Sequence, residues 1–170
     1  MINDENRGSR ARVGWRCASC GDLIRRVEDG WVEWLACVDT NGNTRLQGLR
    51  LVHNHSASPR AASEYGCQYD PLKEFWNAES IVEGLPLERF VGPDGLMMLL
   101  SMFSQDELPR DQLLELTKRV QIPGYELTHE LFHEAIVRGA FTPSIAGGYY
   151  LQSEMWGLLL QWMEQEAKSA

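Results

Sequence analysis

The sequence predicts an α+β protein, with a small antiparallel β-meander over residues 13–70 followed by an α-helical bundle over residues 71–170. The spacing of apolar residues changes from strand-like to helical near residue 71. The charge changes there as well: residues 1–70 hold nine arginines and nine acidic residues, and the remainder holds seven basic and fifteen acidic residues. We therefore expect an acidic bundle, and we expect residues 1–12, which are polar and rich in arginine, to form a flexible basic arm.

Three segments rich in β-branched and aromatic residues make up the predicted meander, at residues 23–27, 31–39 and 44–53. The pair Asn41-Gly42 lies between the last two segments. Because this pair tolerates positive φ at both central positions of a type I′ turn, it predicts a β-hairpin. The two ends of such a meander can lie close together.

Five helices are predicted after the meander. The first begins at Pro71 and is ended by the sequence Gly84-Leu85-Pro86, because glycine and proline interrupt a helix. The others cover about residues 93–102, 110–121, 125–138 and 149–167. The apolar positions of these helices predict a core that contains Leu96, Leu99, Leu100, Leu113, Leu116, Leu131, Ile136, Leu151, Trp156 and Leu159.

The segment Cys17-Ala18-Ser19-Cys20-Gly21 has the spacing of a metal-binding knuckle. Two cysteines three positions apart can bind one Zn²⁺ ion if the chain turns sharply after them. Gly21 permits that turn, because a residue without a Cβ atom adopts positive φ at little cost. The sequence therefore predicts a zinc site that supports the meander, with Cys17 and Cys20 as its first two ligands.

The other two ligands are expected after the hairpin. Cys67 is the predicted third ligand, and His53, at the end of the third strand, is the fourth, with His55 as the alternative. Cys37 lies inside a strand and is expected to pack as a small apolar side chain. The Cys-x-x-Cys-Gly knuckle resembles that of zinc-ribbon modules over about residues 15–67, and the resemblance implies a second pair of ligands after a β-hairpin. This chain departs from the ribbon pattern because it has no second Cys-x-x-Cys pair.

A second metal-binding pattern lies in the helical part. Residues 129–133 match His-Glu-x-x-His, in which His129 and His133 would bind zinc and Glu130 would act as the general base of a metallopeptidase. Glu154 is the candidate third ligand. On a helical wheel, however, both histidines fall among glutamates on the polar face, which favours an exposed helix surface over a catalytic site.

These observations favour a non-enzymatic zinc-binding adaptor or regulatory protein, with a zinc-dependent hydrolase that uses residues 129–133 as the alternative. The helical part is the expected site of contacts with a protein partner. Nucleic-acid contact would depend on clustered positive charge. The arginines that could supply this charge are Arg7, Arg10, Arg12, Arg16, Arg25 and Arg26.

No membrane contact is expected. The longest apolar run, residues 95–103, is far shorter than the roughly 20 residues that span a bilayer. The N-terminus lacks the apolar core of a signal peptide. Both features indicate a cytoplasmic protein, in which cysteines are more often metal ligands or buried thiols than disulfides.

Overall fold

The computed structural model describes residues 14–60, 62–139 and 151–169, and excludes the side chains of residues 130–134, 159, 162–163 and 165–169. The basic arm predicted for residues 1–12 lies outside the described residues. Packing divides the chain into two compact units, Met1–Gln121 and Ile122–Ala170. This division differs from the boundary predicted near residue 71, because the first three helices assigned to the bundle from sequence lie within the first unit.

The first unit contains strands and helices, and the described part of the second contains helices alone. In chain order these are β1 (Trp15–Arg16), β2 (Leu23–Ile24), β3 (Gly30–Val38), β4 (Thr44–His53), α1 (Pro71–Ala78), β5 (Ile81–Pro86), α2 (Gly92–Gln105), α3 (Arg110–Gln121), α4 (Tyr125–Val137) and α5 (Gln152–Ser169). The helices α4 and α5 belong to the second unit. All strand pairs are antiparallel. The predicted α+β class is therefore confirmed.

Strands β3 and β4 form the predicted hairpin and pair over their whole length. The turn between them is not the predicted type I′ turn, because only Gly42 of the Asn41-Gly42 pair has a positive φ, at 82°. Asp39 closes the turn instead. Its Oδ1 atom accepts hydrogen bonds from the backbone N–H groups of Asn41 and Asn43, at 2.8 and 2.9 Å.

The third strand of the sheet is not the predicted one. Leu23–Ile24 pairs with β1 around the cysteine knuckle, and β5 lies along the other edge of β3, so the strand order is β4-β3-β5. The prediction placed residues 81–86 at the end of the first helix. That helix stops at Ala78, because Glu79 has a left-handed conformation with a φ of 50° and its N–H group bonds back to carbonyls of the last turn. The three-stranded meander prediction is therefore wrong in its choice of third strand.

Helices α2 and α3 provide apolar side chains to the same core as the sheet. Leu99 of α2 and Leu113 and Leu116 of α3 are almost fully buried, as the sequence predicts. They share a cluster with Val32 and Leu51 of the sheet. A thin sheet cannot enclose a core by itself, and these two helices supply the second layer.

Several other predicted core residues are largely exposed. They are Leu96, Leu100, Ile136 and Leu151, with between 37% and 52% of their surface accessible. Residues 96–100 of α2 are all apolar, so one apolar face of this helix can be buried while another stays exposed. Leu131 and Leu159 are among the side chains that are not described.

In the second unit, α4 and α5 pack against each other. Tyr125, Ala135 and Met155 are nearly fully buried. Thr128 is buried as well, and its hydroxyl oxygen accepts a hydrogen bond from Nε2 of Gln152 at 3.1 Å. None of the described helices combines the length and the apolar character needed to cross a bilayer.

Gly124→Ala is expected to destabilise the second unit. Gly124 has a φ of 76°, and a Cβ atom there would clash with Cζ2 of Trp156. The strain of the left-handed backbone and the displaced indole together are expected to cost about 1–3 kcal/mol. The matched control is Gly157→Ala, because no atom lies within 4 Å of the added Cβ atom. Thermal unfolding by circular dichroism measures both, and equal midpoints for the two variants would contradict this prediction.

Candidate metal centre

The cysteine knuckle is a tight loop between β1 and β2. The N–H group of Gly21 donates a hydrogen bond to the carbonyl oxygen of Cys17 at 2.9 Å. The N–H group of Cys17 donates a hydrogen bond to the carbonyl oxygen of Asp22 at 2.9 Å. Gly21 has a φ of 82°, so the conformational role predicted for it is confirmed. The N–H group of Ala18 donates to Leu51 of β4 at 2.9 Å, which holds the knuckle against the hairpin.

The structure brings Cys17, Cys20, His53 and Cys67 together, and these are the four residues predicted as ligands. Their ligand atoms all lie within 4.8 Å of one another. Nδ1 of His53 is 3.5 Å from Sγ of Cys20 and 4.0 Å from Sγ of Cys67. Ligands at about 2.0–2.3 Å from a tetrahedral zinc ion are about 3.5–3.8 Å apart. The four residues could therefore hold a metal ion with little rearrangement.

Each of these residues is placed by a different local feature. His53 is the last residue of β4, where it lies opposite Gly30 of β3. Cys67 follows the loop that begins with the 3-10 turn His55–Ala57. Cys17, His53 and Cys67 are buried, and Cys20 is half-buried. His55, the alternative ligand, does not belong to the cluster.

A serine hydroxyl supports the Cys67 sulfur. Oγ of Ser58 donates a hydrogen bond to Sγ of Cys67 at 3.1 Å, and both residues are buried. The same oxygen accepts a hydrogen bond from the N–H group of Arg60 at 3.0 Å, which orients the hydroxyl. Gly66 is required for this close approach, because a Cβ atom there would lie 2.8 Å from Oγ of Ser58.

A buried ion pair holds the segment that follows Cys67. The carboxylate of Glu33 is fully buried and accepts hydrogen bonds from Nη2 and Nε of Arg50 at 2.7 and 2.8 Å. It also accepts a hydrogen bond from the backbone N–H group of Tyr69 at 3.0 Å. The Arg50 guanidinium lies 3.4 Å from the centre of the Tyr69 ring and donates to the carbonyl oxygen of Cys67 at 3.4 Å. Burial raises the pKa of Glu33, and the charge of Arg50 opposes that rise.

Sequence reasoning missed this ion pair because a β-bulge creates it. Leu35 lies opposite Gln47, whereas Glu33 lies opposite Arg50, so β4 contains one more residue than β3 between the two pairs. Gly48 has a φ of 64° at this point. A glycine inside a strand is the usual sign of a bulge. If the strand pairs are counted from the hairpin turn without a bulge, Leu49 instead of Arg50 lies opposite Glu33.

The thiols of the cluster differ in acidity. Burial raises the pKa of Cys17, but hydrogen bonds from the backbone N–H groups of Cys20 and His53 outweigh it and lower the pKa to about 7. Burial raises the pKa of Cys20 to about 12, and the neighbouring Cys17 and Cys67 sulfurs add to the rise. Three thiolates in this small volume would repel one another, and a divalent cation bound between them would supply the compensating positive charge.

Cys37 lies outside the cluster. It is half-buried in β3, and its Sγ atom donates to the carbonyl oxygen of Arg45 at 3.4 Å. It does not belong to the buried core cluster of the sheet, so the prediction that Cys37 packs in the core is not confirmed, whereas its place outside the metal-binding group agrees with the sequence.

The His-Glu-x-x-His residues can be placed only in part. His129 is exposed on α4, and its ring stacks on Tyr125 with a centroid distance of 5.1 Å. The side chains of Glu130 and His133 are not described. Glu154 lies in the first turn of α5, where its Oε2 atom accepts the N–H group of Leu151 at 3.1 Å. The exposure of His129 agrees with the predicted polar face, and the hydrolase alternative remains a prediction.

Among the described residues, the group of Cys17, Cys20, His53 and Cys67 is the one cluster of His, Cys, Asp or Glu side chains that could hold a metal ion. Comparison of the chain with known protein families, with curated proteins and with solved structures finds no match. The functional conclusion therefore depends on the geometry of this cluster.

Proposed function

We propose that Cys17, Cys20, His53 and Cys67 bind one structural Zn²⁺ ion. The observation that carries the proposal is the closed set of three sulfurs and one imidazole nitrogen within 4.8 Å of one another. Structural zinc sites have four protein ligands of this kind, whereas catalytic zinc sites leave one position for water or substrate. Four protein ligands complete a tetrahedron, which supports a structural role.

A bound ion would crosslink three parts of the first unit. Its ligands come from the knuckle between β1 and β2, from the end of β4, and from the loop that precedes α1. The knuckle strands β1 and β2 have two residues each and form a separate two-stranded sheet, and so small a pair is at best marginally stable without further support. Zinc binding would therefore contribute directly to the free energy of folding.

We further propose that the protein is an adaptor or regulatory protein that acts in the cytoplasm through contacts with a protein partner. A closed zinc site organises a surface and provides no position for a reacting molecule. A cluster of three reduced cysteines is best preserved in a reducing compartment, which supports the cytoplasm.

Nucleic-acid contact through the N-terminal arginines is the second part of this proposal. Arg25 is exposed, whereas Arg26 pairs with Glu28 at 2.7 Å and Arg16 donates to the carbonyl oxygen of Gly21 at 3.1 Å. Binding of duplex DNA or RNA that weakens steeply with salt would support the contact, because each neutralised phosphate releases counterions. Binding without salt dependence, or no binding, would remove it.

The metal content of the purified full chain tests the zinc site. Inductively coupled plasma mass spectrometry is expected to find one zinc ion per chain in the wild type and in His129→Ala, and none in Cys17→Ser. Zinc that is lost in His129→Ala and kept in Cys17→Ser would instead support a hydrolase with Glu130 as general base. A wild-type chain that takes up no zinc would overturn the proposal.

Ser58→Ala is expected to weaken zinc binding without abolishing it. The variant removes the hydroxyl that donates to Sγ of Cys67 at 3.1 Å. Loss of such a supporting hydrogen bond typically lowers metal affinity by about 10–100-fold. Competition with a chelator of known affinity measures the change. Ser63→Ala is the matched control, because Oγ of Ser63 donates to the backbone of the same loop and to no ligand; equal affinities in the two variants would contradict the prediction.

A further inference from the structure

The apolar face of helix α1 is uncovered by the described residues. Leu72, Phe75 and Trp76 lie on one side of the helix and are 63%, 51% and 78% exposed, and no residue of α1 is buried. The N-terminus of the helix is capped, since Oδ1 of Asp70 accepts hydrogen bonds from the backbone N–H groups of Leu72 and Lys73. Helices of this length are nevertheless marginal in water unless an apolar face packs against something. The face of α1 is therefore expected to have a partner.

Strand β5 provides a second unpaired surface next to α1. It is the outer strand in the order β4-β3-β5, so its far edge carries no strand among the residues that the structure describes. Protein edge strands are usually protected from pairing by short length, lysines, prolines, bulges or inward-pointing charges. β5 contains no lysine or arginine, and its proline, Pro86, is its last residue, so residues 81–85 keep their backbone N–H groups. Its one charged residue, Glu83, accepts a hydrogen bond from Nε1 of Trp34 at 2.9 Å within its own sheet. Ile81 at its start is 62% exposed.

We propose that two copies of this chain associate through β5. The two edges would pair antiparallel about a two-fold axis perpendicular to the sheet, and two three-stranded sheets would become one sheet of six strands. Such an axis keeps the two α1 helices on the same side of the joined sheet. Their apolar faces, defined by Leu72, Phe75 and Trp76, would then pack against each other across the axis. The interface is isologous, as in most homodimers.

The exposed area agrees with a dimer interface. Aromatic side chains bury about 150–250 Å² each, so Leu72, Phe75, Trp76 and Ile81 together offer on the order of 500 Å² of surface. A standard interface takes about 800 Å² from each partner. The backbone and remaining side chains of β5 would have to supply the remaining area. The largest apolar patch on a typical monomer is about 300–600 Å² and is often functional.

The charges on α1 are compatible with self-association. Lys73 and Glu74 occupy the part of the helix outside the apolar face, so each copy presents one positive and one negative side chain at the rim. A two-fold arrangement can therefore place unlike charges near each other. A second copy also brings an identical uncovered helix and an identical open edge, so a single association covers both surfaces of both chains.

Sedimentation velocity over a concentration series of the full chain tests the proposal. The wild type is expected to shift from monomer to dimer as concentration rises, and Trp76→Glu is expected to raise the dimer dissociation constant by about tenfold or more. Met97→Glu is the matched control: Met97 is an apolar residue of α2 that is 67% exposed and lies outside the proposed interface. Circular dichroism and zinc content, unchanged in both variants, would show that the fold is intact.

Hydrogen exchange gives an independent readout. The amides of residues 81–85 are expected to become more protected as the concentration of the wild type rises, and not in Trp76→Glu. A wild type that stays monomeric at every concentration would overturn the proposal and leave α1 to a different partner. A dimer that survives Trp76→Glu, or that Met97→Glu weakens equally, would overturn it as well.

Discussion

Cys67→Ser is expected to abolish cooperative unfolding of the first unit. Cys67 is fully buried in the ligand cluster, and its replacement would leave three ligands around the ion. Structural zinc contributes about 10–16 kcal/mol in small zinc domains, which is as large as the whole stability of about 5–15 kcal/mol of an ordinary domain. Thermal unfolding followed by tryptophan fluorescence and circular dichroism measures the loss. Titration of the wild type with a strong chelator is expected to reproduce it, and added zinc is expected to reverse it.

Cys37→Ser is the control for this experiment. It removes a half-buried thiol of the same sheet that lies outside the cluster, so only a small shift of the unfolding midpoint is expected. If Cys67→Ser unfolded at the wild-type temperature, or if chelation left the wild type folded, the zinc would not support the fold.

Glu33→Ala is expected to destabilise the first unit by about 3–5 kcal/mol, the usual cost of removing one partner from a buried ion pair. The side chain of Arg50 is only 23% exposed and would lose its counter-charge, and the N–H group of Tyr69 would lose its acceptor. Since Arg50 also donates to the carbonyl oxygen of Cys67, zinc affinity is expected to fall together with stability. Urea unfolding of the zinc-loaded chain gives the free energy, and chelator competition gives the affinity.

Glu83→Ala provides the comparison for Glu33→Ala. Glu83 is an exposed glutamate on the neighbouring strand β5, with one hydrogen bond to the Trp34 indole at 2.9 Å. Its removal is expected to cost about 1 kcal/mol. A loss in Glu33→Ala no larger than the loss in Glu83→Ala would mean that the buried pair does not hold the Cys67 segment.

The ligand cluster could be predicted because its chemistry depends on short spacings and on one hairpin. Cys17 and Cys20 are brought together by local turn geometry, and the β3–β4 hairpin returns the chain to the knuckle, which places His53 beside it. The choice of His53 over His55 also follows from local structure, since β4 ends at His53 and a 3-10 turn begins at His55.

The third strand could not be predicted for a different reason. Residues 72–84 contain apolar residues at helical spacing, and the same segment divides into α1 and β5 around Glu79. The local sequence around residues 81–86 does not show that this segment can pair with the edge of β3. Strand formation depends on the neighbouring strand more than on intrinsic preference.

The sequence by itself predicted the α+β class, the β3–β4 hairpin and the four residues that the structure brings together as a possible metal site, because these depend mainly on periodicity, turn chemistry and ligand spacing. Only the tertiary structure decided that β5 completes the sheet, that α2 and α3 cover it, and that a bulge at Gly48 brings Glu33 to Arg50. These outcomes depend on contacts between residues far apart in the chain. These contacts are stabilised by packing and by burial of apolar surface, which cannot be inferred from the spacing of residues in a short segment.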